Sequence, residues 1–577
     1  MAKSIRKRGQ KFIKRFSRAS LRASEGSKEH IKENLLERFS HIRNIRLLIF
    51  EWSLLALGLI MLAVTQAFWF GDSYSETVFV DGGSYTEATI GRVNSLNPLF
   101  ATTSSEKVLS RLMFATLVEV DYSGNPGLGL IKSLVSEEDG KIWKIHLRDN
   151  LKWSDGEPIT NSDVMFTVDL IQNPAVNSVY SSYLENVSVA ENANGEIVFT
   201  LPAAYAGFAS ALEFPVLPKH ELSDAAVKTL IEDDFSNAPV TSGAFAFNAL
   251  QTATTSDEEI VYLSANPYYY GGKPALSAFA VHTYTDKTGV VDALNAGAVT
   301  ATAEISGGDA DAVANGSFEK RETSIDVGAF AFLNTSGTLR STELRRAIRQ
   351  GINVAELRAV ATGTAELNYP LIQSQINLSS YPEIPGYNFA AAEAKIHELA
   401  GDNPLHLNIA TVSSGYLPAV AEALKGQLAA LGIEAELMVY PETQEFVANI
   451  VSRRSYDILL YEVELGADPD PLPYYHSSQA TAAGLNLANY RNSLVDDLLI
   501  GARETTDKDL RARKYESFLE YWVEDVPAIG LYQANMTYIY NKNVHTYGEN
   551  VHLVTALDRF VDVDDWGVNK GTKDKTP

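Results

Sequence analysis

Cysteine is absent from all 577 residues, which excludes a disulfide scaffold, a cysteine nucleophile, a thiolate metal site and a lipid-bearing cysteine as anchor. Histidine is sparse: the ten present include no pair three or four residues apart and no HExxH, so a zinc-hydrolase centre has no ligands to build on. No GxSxG elbow or Walker loop occurs, and Gly124-Asn-Pro-Gly-Leu-Gly129 is broken by proline and reads as a turn. Positive charge is scarce outside the N-terminus. Residues 1–46 hold fourteen Lys/Arg against four Glu, about +10, and Glu51 adds one negative charge; with a total of −24, residues 71–577 carry about −33. Such a surface repels phosphates, so nucleic acid is not a partner. A carboxylate-only hydrolase stays open at this level, because paired acids cannot be located from sequence. No cofactor and no metal is expected.

Between the two charge blocks lies Leu47–Phe70, LLIFEWSLLALGLIMLAVTQAFWF, 24 residues with a single carboxylate. At about 1.5 Å per residue this spans a roughly 30 Å hydrocarbon core. Trp52 and Trp69 suit the interfaces, and the basic block belongs on the cytoplasmic side, which places residues 71–577 outside. A buried core helix and a cleaved signal peptide with Thr65-Gln66-Ala67 as processing site are the alternatives. The long basic leader favours an uncleaved single-pass anchor in the cell membrane. The whole chain is 45% hydrophobic, and the part beyond the apolar run is long enough for two or three domains.

The exported part opens with a polar linker, Gly71–Glu76, and reads as mixed α/β. Thr77–Val80 and Tyr85–Val93 are the first expected strands, and Glu106–Val118 an expected helix. Ile142-Trp-Lys-Ile-His-Leu147 alternates with period two, as a half-buried strand does. Trp153-Ser-Asp-Gly-Glu-Pro158 is a turn, and Thr160 with Asp163 has capping-box spacing ahead of the apolar run Val164–Leu170. Arg345, Arg346 and Arg349 spread over one helix surface, where solvated or salt-bridged roles are expected.

The order of these signals over Leu117–Leu170 resembles the extracytoplasmic solute-binding proteins, family 5, the oligopeptide- and dipeptide-binding proteins of peptide ABC importers. Further landmarks follow in family order: Ser95-Leu-Asn-Pro98, Ser242-Gly-Ala-Phe-Ala-Phe247, Asn266-Pro-Tyr-Tyr-Tyr-Gly-Gly-Lys-Pro274 and Asp292-Ala-Leu-Asn-Ala-Gly297. Phe332-Leu-Asn-Thr335, Leu344–Asn353, Tyr456–Leu460, Asp468-Pro469 and Asn489–Asn492 complete them, so the resemblance covers roughly residues 90–535.

The resemblance implies an α/β, two-lobed, hinged periplasmic-binding-protein-like fold, type II, of the large peptide-binding subclass, preceded by one transmembrane helix. It implies a basic cytoplasmic segment (1–46), an anchor (47–70), lobe I (71–284) with an extra subdomain at about 109–235, lobe II (285–542) and a return to lobe I (543–577). The implied partners are an oligopeptide or dipeptide ligand, the permease and ATPase subunits of the importer, and the membrane through residues 47–70; a monomer and no enzyme are implied. A receptor for varied peptides holds the main chain by strand pairing and the free amine by a carboxylate. Leu460-Tyr-Glu-Val-Glu-Leu-Gly-Ala-Asp-Pro-Asp470 is the implied strand-to-loop passage. The family's amine-binding acid stands three residues before an acidic-Pro pair, and here those positions are Leu465 and Ala467. Glu464 is the first candidate, Asp468 the second, and solvated turn acids the alternative. Tyr461, Val93, Asn94, Phe114 and Asn334 complete the implied ligand-facing set, with core packing the alternative for Phe114. A sensory or structural ectodomain on the same fold, or a binder of a non-peptide solute, is the alternative function.

Overall fold

The computed structural model describes residues 46–574 except 224–226, 253–257, 402–403, 442–443 and 549–550. The basic segment expected at 1–46 therefore lies outside the described residues, save Arg46. The chain falls into two compact units, residues 1–78 with 571–577, and residues 79–570.

In the first unit a 29-residue helix runs from Arg46 to Tyr74, so the linker expected from Gly71 is still helical up to Tyr74. Side chains are described along it from Phe50 to Gln66, and all are exposed there. Among the described residues no helix is long and apolar enough to cross a membrane.

In chain order the strands are β1 (Ser75–Val80), β2 (Ser84–Ile90), β3 (Val118–Val120), β4 (Pro126–Leu128), β5 (Ile131–Glu137), β6 (Ile142–Leu147), β7 (Ser188–Glu191), β8 (Ile197–Thr200), β9 (Phe245–Thr252), β10 (Glu259–Ala265), β11 (Ala278–Tyr284), β12 (Ala301–Thr302), β13 (Phe318–Leu333), β14 (Ala365–Glu366), β15 (Leu405–Val412), β16 (Ile433–Tyr440), β17 (Ile458–Glu464), β18 (Ala528–Asn541) and β19 (Asn569–Asp574). β1 and β19 pair as a two-stranded sheet.

Within residues 79–570 a mixed sheet runs in the order β16-β15-β17-β13-β18-β12-β2-β11-β10-β9, with β14 also on β18. Its hydrophobic side chains divide into separate cores. One gathers residues between Tyr85 and Val281 together with Met536–Trp566 of the chain's return. A second gathers residues between Ala329 and Ala534, and a small third one packs Ala88, Val290, Leu294 and Ile539. The long antiparallel pair β13 and β18 runs from the first core to the second, and its register is interrupted between Ser324 and Gly328. In that interruption the Asp326 N–H donates to the Val554 carbonyl (2.9 Å), and the Asp326 carbonyl accepts from Leu465 N–H (2.8 Å).

A four-stranded antiparallel sheet, β5-β6-β8-β7, stands apart from the main sheet. β6 occupies Ile142–Leu147 as its alternation predicts, and its Trp143 is buried in the first core together with Trp153. The capping box forms: Asp163 Oδ2 accepts from Thr160 N–H (2.7 Å), and the helix Asn161–Gln172 follows. The helix expected over Glu106–Val118 is instead Ser104–Met113, because Phe114 is extended (φ −126°, ψ 127°) and leads into β3. The expectation for the arginine helix holds for Arg346, exposed and paired with Glu524 (2.9 Å), and needs correction for the other two arginines. Arg345 and Arg349 are 3% and 7% exposed. Arg345 donates to the carbonyls of Leu339, Asp525 and Val526, and Arg349 to that of Val523 (3.1 Å), satisfying carbonyls at the end of the helix Lys508–Asp525.

Candidate functional site

The passage that follows β17 lies between the first two cores. Gly466 turns it with φ +72°, and Gln375 Nε2 bridges the Asp326 carboxylate (2.8 Å) and the Gly466 carbonyl (2.6 Å). Asp468 is gripped by both guanidinium nitrogens of Arg511, each at 2.6 Å, and its side chain is 15% exposed. Asp470 accepts from Arg503 Nε (2.8 Å) and Nη2 (2.5 Å); burial pushes its pKa up although Arg503 pulls it down. Both acids of the Asp-Pro-Asp run are thus paired within the protein, one to each of two successive helices, Ser493–Arg503 and Lys508–Asp525.

Glu464 is the exposed acid of the passage. Its carbonyl accepts from the Tyr474 hydroxyl. Its carboxylate is within electrostatic reach of Tyr183, an aromatic of the other half that is 58% exposed; burial raises the Tyr183 pKa, and Glu464 and then Glu213 add to it.

The other sequence candidates occupy varied places. Tyr461 is half-buried in β17 opposite Phe330, its ring 6.1 Å from Phe446. The Val93 N–H donates to Glu259 (3.0 Å). Asn94 is exposed, but its main-chain and amide N–H groups both go to Glu106 Oε1 (2.8 and 3.1 Å). Burial alone would raise Glu106; N–H donors from Thr103, Thr102 and Asn94 bring its pKa below the ordinary value. Phe114 is 1% exposed, packs 6.1 Å from Phe235 and lines a cavity described below. Asn334 is 6% exposed; its amide donates to Tyr456 O (2.9 Å), and its oxygen accepts from Ser336 and Asn489. That residue ties loops of the second half together.

Sequence reasoning missed several neighbours. A cavity of about 180 Å³ is walled by Arg111, Phe114, Tyr180, Glu213 and Asp558 among others. Arg111 Nη1 stands 3.5 Å from Glu213 Oε1, with the two side chains 10% and 28% exposed. Glu213 is enclosed by neighbours yet reached by solvent through the cavity. Burial pushes its pKa up to about 7; Arg111 pulls it down, and Asp558 and Glu119 push it further up. The one legible signal was Glu213 itself, a lone acid in the apolar run Phe208–Pro218. Among the described residues a set with metal-like spacing, Asp155, His220 and Glu221, is exposed and reads as an ion pair, His220 Nε2 being 2.8 Å from Asp155.

The two halves also touch directly. The Ala206 N–H donates to the Arg503 carbonyl (2.9 Å), the Arg503 guanidinium lies 4.9 Å from the Tyr205 ring centre, and buried Gly207 packs against Asp468. Below them His552 Nε2 is 2.8 Å from Asp326 Oδ2, a side chain with no exposure. This pair predicts a pH dependence. The hydrogen bond to Asp326 raises the His552 pKa against burial, so its stabilisation is complete below the unfolded value of about 6.5 and fades as pH rises through the folded one. Denaturant midpoints measured between about pH 6 and 8.5 should therefore fall, and His552→Gln should flatten that slope. An unchanged slope would remove the pair from the account.

The description "Bacterial extracellular solute-binding proteins, family 5 Middle" belongs to a family model that matches residues 125–485. The oligopeptide-binding protein AppA of Bacillus subtilis (strain 168) is 23% identical over 496 residues, covering 81% of this chain and 89% of its own. The solved structure of AppA from Bacillus subtilis in complex with a nonapeptide aligns with a TM-score of 0.68 at 21% identity, covering 85% of this chain and 99% of the other. That of NikZ from Campylobacter jejuni in complex with Ni(L-His) aligns with a TM-score of 0.71 at 21% identity, covering 84% and 99%. These likenesses place the chain in a two-lobed, periplasmic-binding-protein-like α/β fold. With well over half of its length matched by one family model, the chain belongs to the bacterial extracellular solute-binding proteins of family 5, a family of binding proteins rather than enzymes.

Proposed function

We propose that this protein is the membrane-anchored, extracytoplasmic binding component of an ABC importer, that its lobes close over an extended peptide, and that it hands the peptide to a permease. The observation that carries the reading is the passage after β17, where Glu464 is exposed and lies within electrostatic reach of exposed Tyr183 in the opposite lobe. An acid and an aromatic that stay accessible between two packed cores offer an ammonium partner and a stacking face. AppA, which binds oligopeptides by name, supports peptide as the ligand class. The break in β13 at Ile325–Val327 supplies the hinge, since contacts to both lobes favour the closed state.

One observation favours a non-peptide solute as the second reading. Asp468 and Asp470 are already neutralised by Arg511 and Arg503, and NikZ was solved with Ni(L-His). Thermal unfolding with mixed tripeptides and tetrapeptides separates the two. Peptide at a hundred times its Kd stabilises a binder by about 2.7 kcal/mol, whereas no shift with any peptide pool favours the second reading.

Anchoring rests on the apolar run 47–70 behind a basic block and on the exposed side chains from Phe50 to Gln66. The full chain should stay with membranes through alkaline carbonate extraction, and loss of residues 1–74 should release it. Release of the full chain would contradict the anchor.

A further inference from the structure

We infer that the cavity walled by Arg111, Tyr180, Glu213 and Asp558 seats a cationic head group of the bound solute, an ammonium or a guanidinium, with an oxygen of the same solute on Arg111. The inference rests on solute binding in this cleft and goes further by naming the chemistry that the cleft selects.

Charge balance is the first argument. Arg111, on the helix Ser104–Met113, feels Glu119, Glu213 and Asp558. Three carboxylates surround one guanidinium, and the exposed ammonium of Lys107 lines the same cavity, so one negative charge is in surplus. Two of the carboxylates have other partners: Asp558 Oδ2 accepts from Thr555 N–H (2.6 Å) and its hydroxyl (3.2 Å), and Glu119 accepts from Tyr270. Glu213 has the Val120 N–H and, at 3.5 Å, Arg111. An anion entering here would be a fourth negative group, whereas a cation restores neutrality.

The second argument is independent of charge. Arg111 Nη2 is buried with no hydrogen-bond partner, on a side chain nine-tenths buried that lines the cavity. A buried donor left unmade costs about 1–3 kcal/mol, and a carbonyl or carboxylate oxygen beside the incoming cation satisfies it. A peptide amino terminus and a basic side chain with its backbone both carry that combination. The phenol of Tyr180 on the same wall gives the cation an aromatic face. About 180 Å³ holds a head group with a short stem. Tyr183, within reach of both Glu213 and Glu464, connects the cavity to the passage after β17.

Binding then displaces a proton: the Glu213 carboxyl loses its hydrogen to solvent and the carboxylate pairs with the cation. The groups that set this titration are Arg111 and Lys107 from one helix, Glu119 from β3, Asp558 from the chain's return, and Tyr180 and Tyr183 from the loop before β7. Affinity for a cation rises with pH up to the point where Glu213 is ionised, then levels off.

Calorimetry on the full chain in detergent micelles tests this, with Lys-Ala-Ala, acetyl-Lys-Ala-Ala, norleucyl-Ala-Ala, acetyl-norleucyl-Ala-Ala and agmatine as probes. Titrations in two buffers of different ionisation enthalpy count the protons. Acetyl-Lys-Ala-Ala and agmatine, charged throughout, should release protons near about pH 6.5 and none near about pH 8.5, whereas a terminal amine, with an ordinary pKa of about 7.7–8.0, should take a proton up at the higher pH; Glu213→Gln should weaken the cationic probes about tenfold or more. Acetyl-norleucyl-Ala-Ala should be insensitive to the substitution. Comparing acetyl-Lys-Ala-Ala with norleucyl-Ala-Ala tells a side-chain cation from a terminal one. Proton release is read on the unsubstituted protein, so it holds even if the variant folds poorly. Agmatine binding without peptide binding would keep the cavity assignment and remove the peptide reading. Peptide binding without proton release, and unchanged in Glu213→Gln, would do the reverse. No binding by any cationic probe would overturn the inference.

Discussion

Replacing Gly207 by valine is expected to weaken solute binding by about tenfold to a hundredfold while the fold survives, the effect of about 1–3 kcal/mol of overpacking. A Cβ at this position would lie 2.2 Å from Asp468 Oδ2, 2.5 Å from its Cγ and 2.9 Å from a Tyr205 ring carbon. Asp468 cannot swing aside cheaply, because Arg511 holds both of its oxygens. The glycine has an ordinary φ of −85°, so the backbone tolerates a side chain, and the closest clash is the one across the lobes with Asp468, with the Tyr205 ring next. Gly243 makes the useful contrast. A Cβ there would meet backbone atoms of Leu112, Met113 and Phe114 at 2.5 to 2.7 Å, all within the first core, so Gly243→Ala should lower the unfolding midpoint instead. The absence of native cysteine lets a single introduced pair, Glu191→Cys and Glu422→Cys, carry spin labels that report lobe closure. In Gly207→Val the closed distance should lose population; a distribution unchanged from the parent, with unchanged Kd, would show that this contact does not govern closure.

Arg559→Met should cost about 3–5 kcal/mol of stability, the price of a buried charge without its partner. Arg559 and Glu87 are 2% and 0% exposed. The guanidinium donates to Glu87 Oε1 from Nε (3.2 Å) and Nη2 (2.9 Å), and the Tyr538 hydroxyl donates to the other oxygen (2.9 Å). Glu87 lies on β2, Tyr538 on β18 and Arg559 on the returning chain, so one carboxylate joins the three segments that complete the first lobe. Burial raises the Glu87 pKa, and Arg559 opposes the rise; without the arginine the acid must protonate or unfold the site. The double substitution Glu87→Leu with Arg559→Met should recover much of the loss, since it leaves no orphan charge. Urea midpoints of the three variants check this, and an Arg559→Met protein within about 1 kcal/mol of the parent would contradict it.

What could be read from sequence was local. The alternation of Ile142–Leu147 and the pairing of Thr160 with Asp163 need only neighbouring residues, and both are present as expected. The helix end was misread because Phe114 leaves the helix for tertiary reasons, to lie in the first core against Phe235. Partnerships between distant segments were not legible. Nothing near Asp468 or Asp470 in the chain announces Arg511 or Arg503, so the pairing of Asp468, the second candidate for a ligand amine, was not legible, while Glu464, the first, is exposed. Arg111, Glu213 and Asp558 come from three separate stretches and meet only once the returning chain is in place. The resemblance carried the fold, since it rests on the order of many local signals. It does not carry the ligand, which depends on side chains that this chain has arranged in its own way.

Native mass spectrometry of the full chain, purified in detergent without denaturation, tests the central claim most directly. The account predicts mass excess over the bare chain from co-purified or added peptide, lost on collisional activation and readable as peptide sequence, with basic residues enriched. A spectrum at the bare mass after purification and after saturation with peptide pools would contradict it.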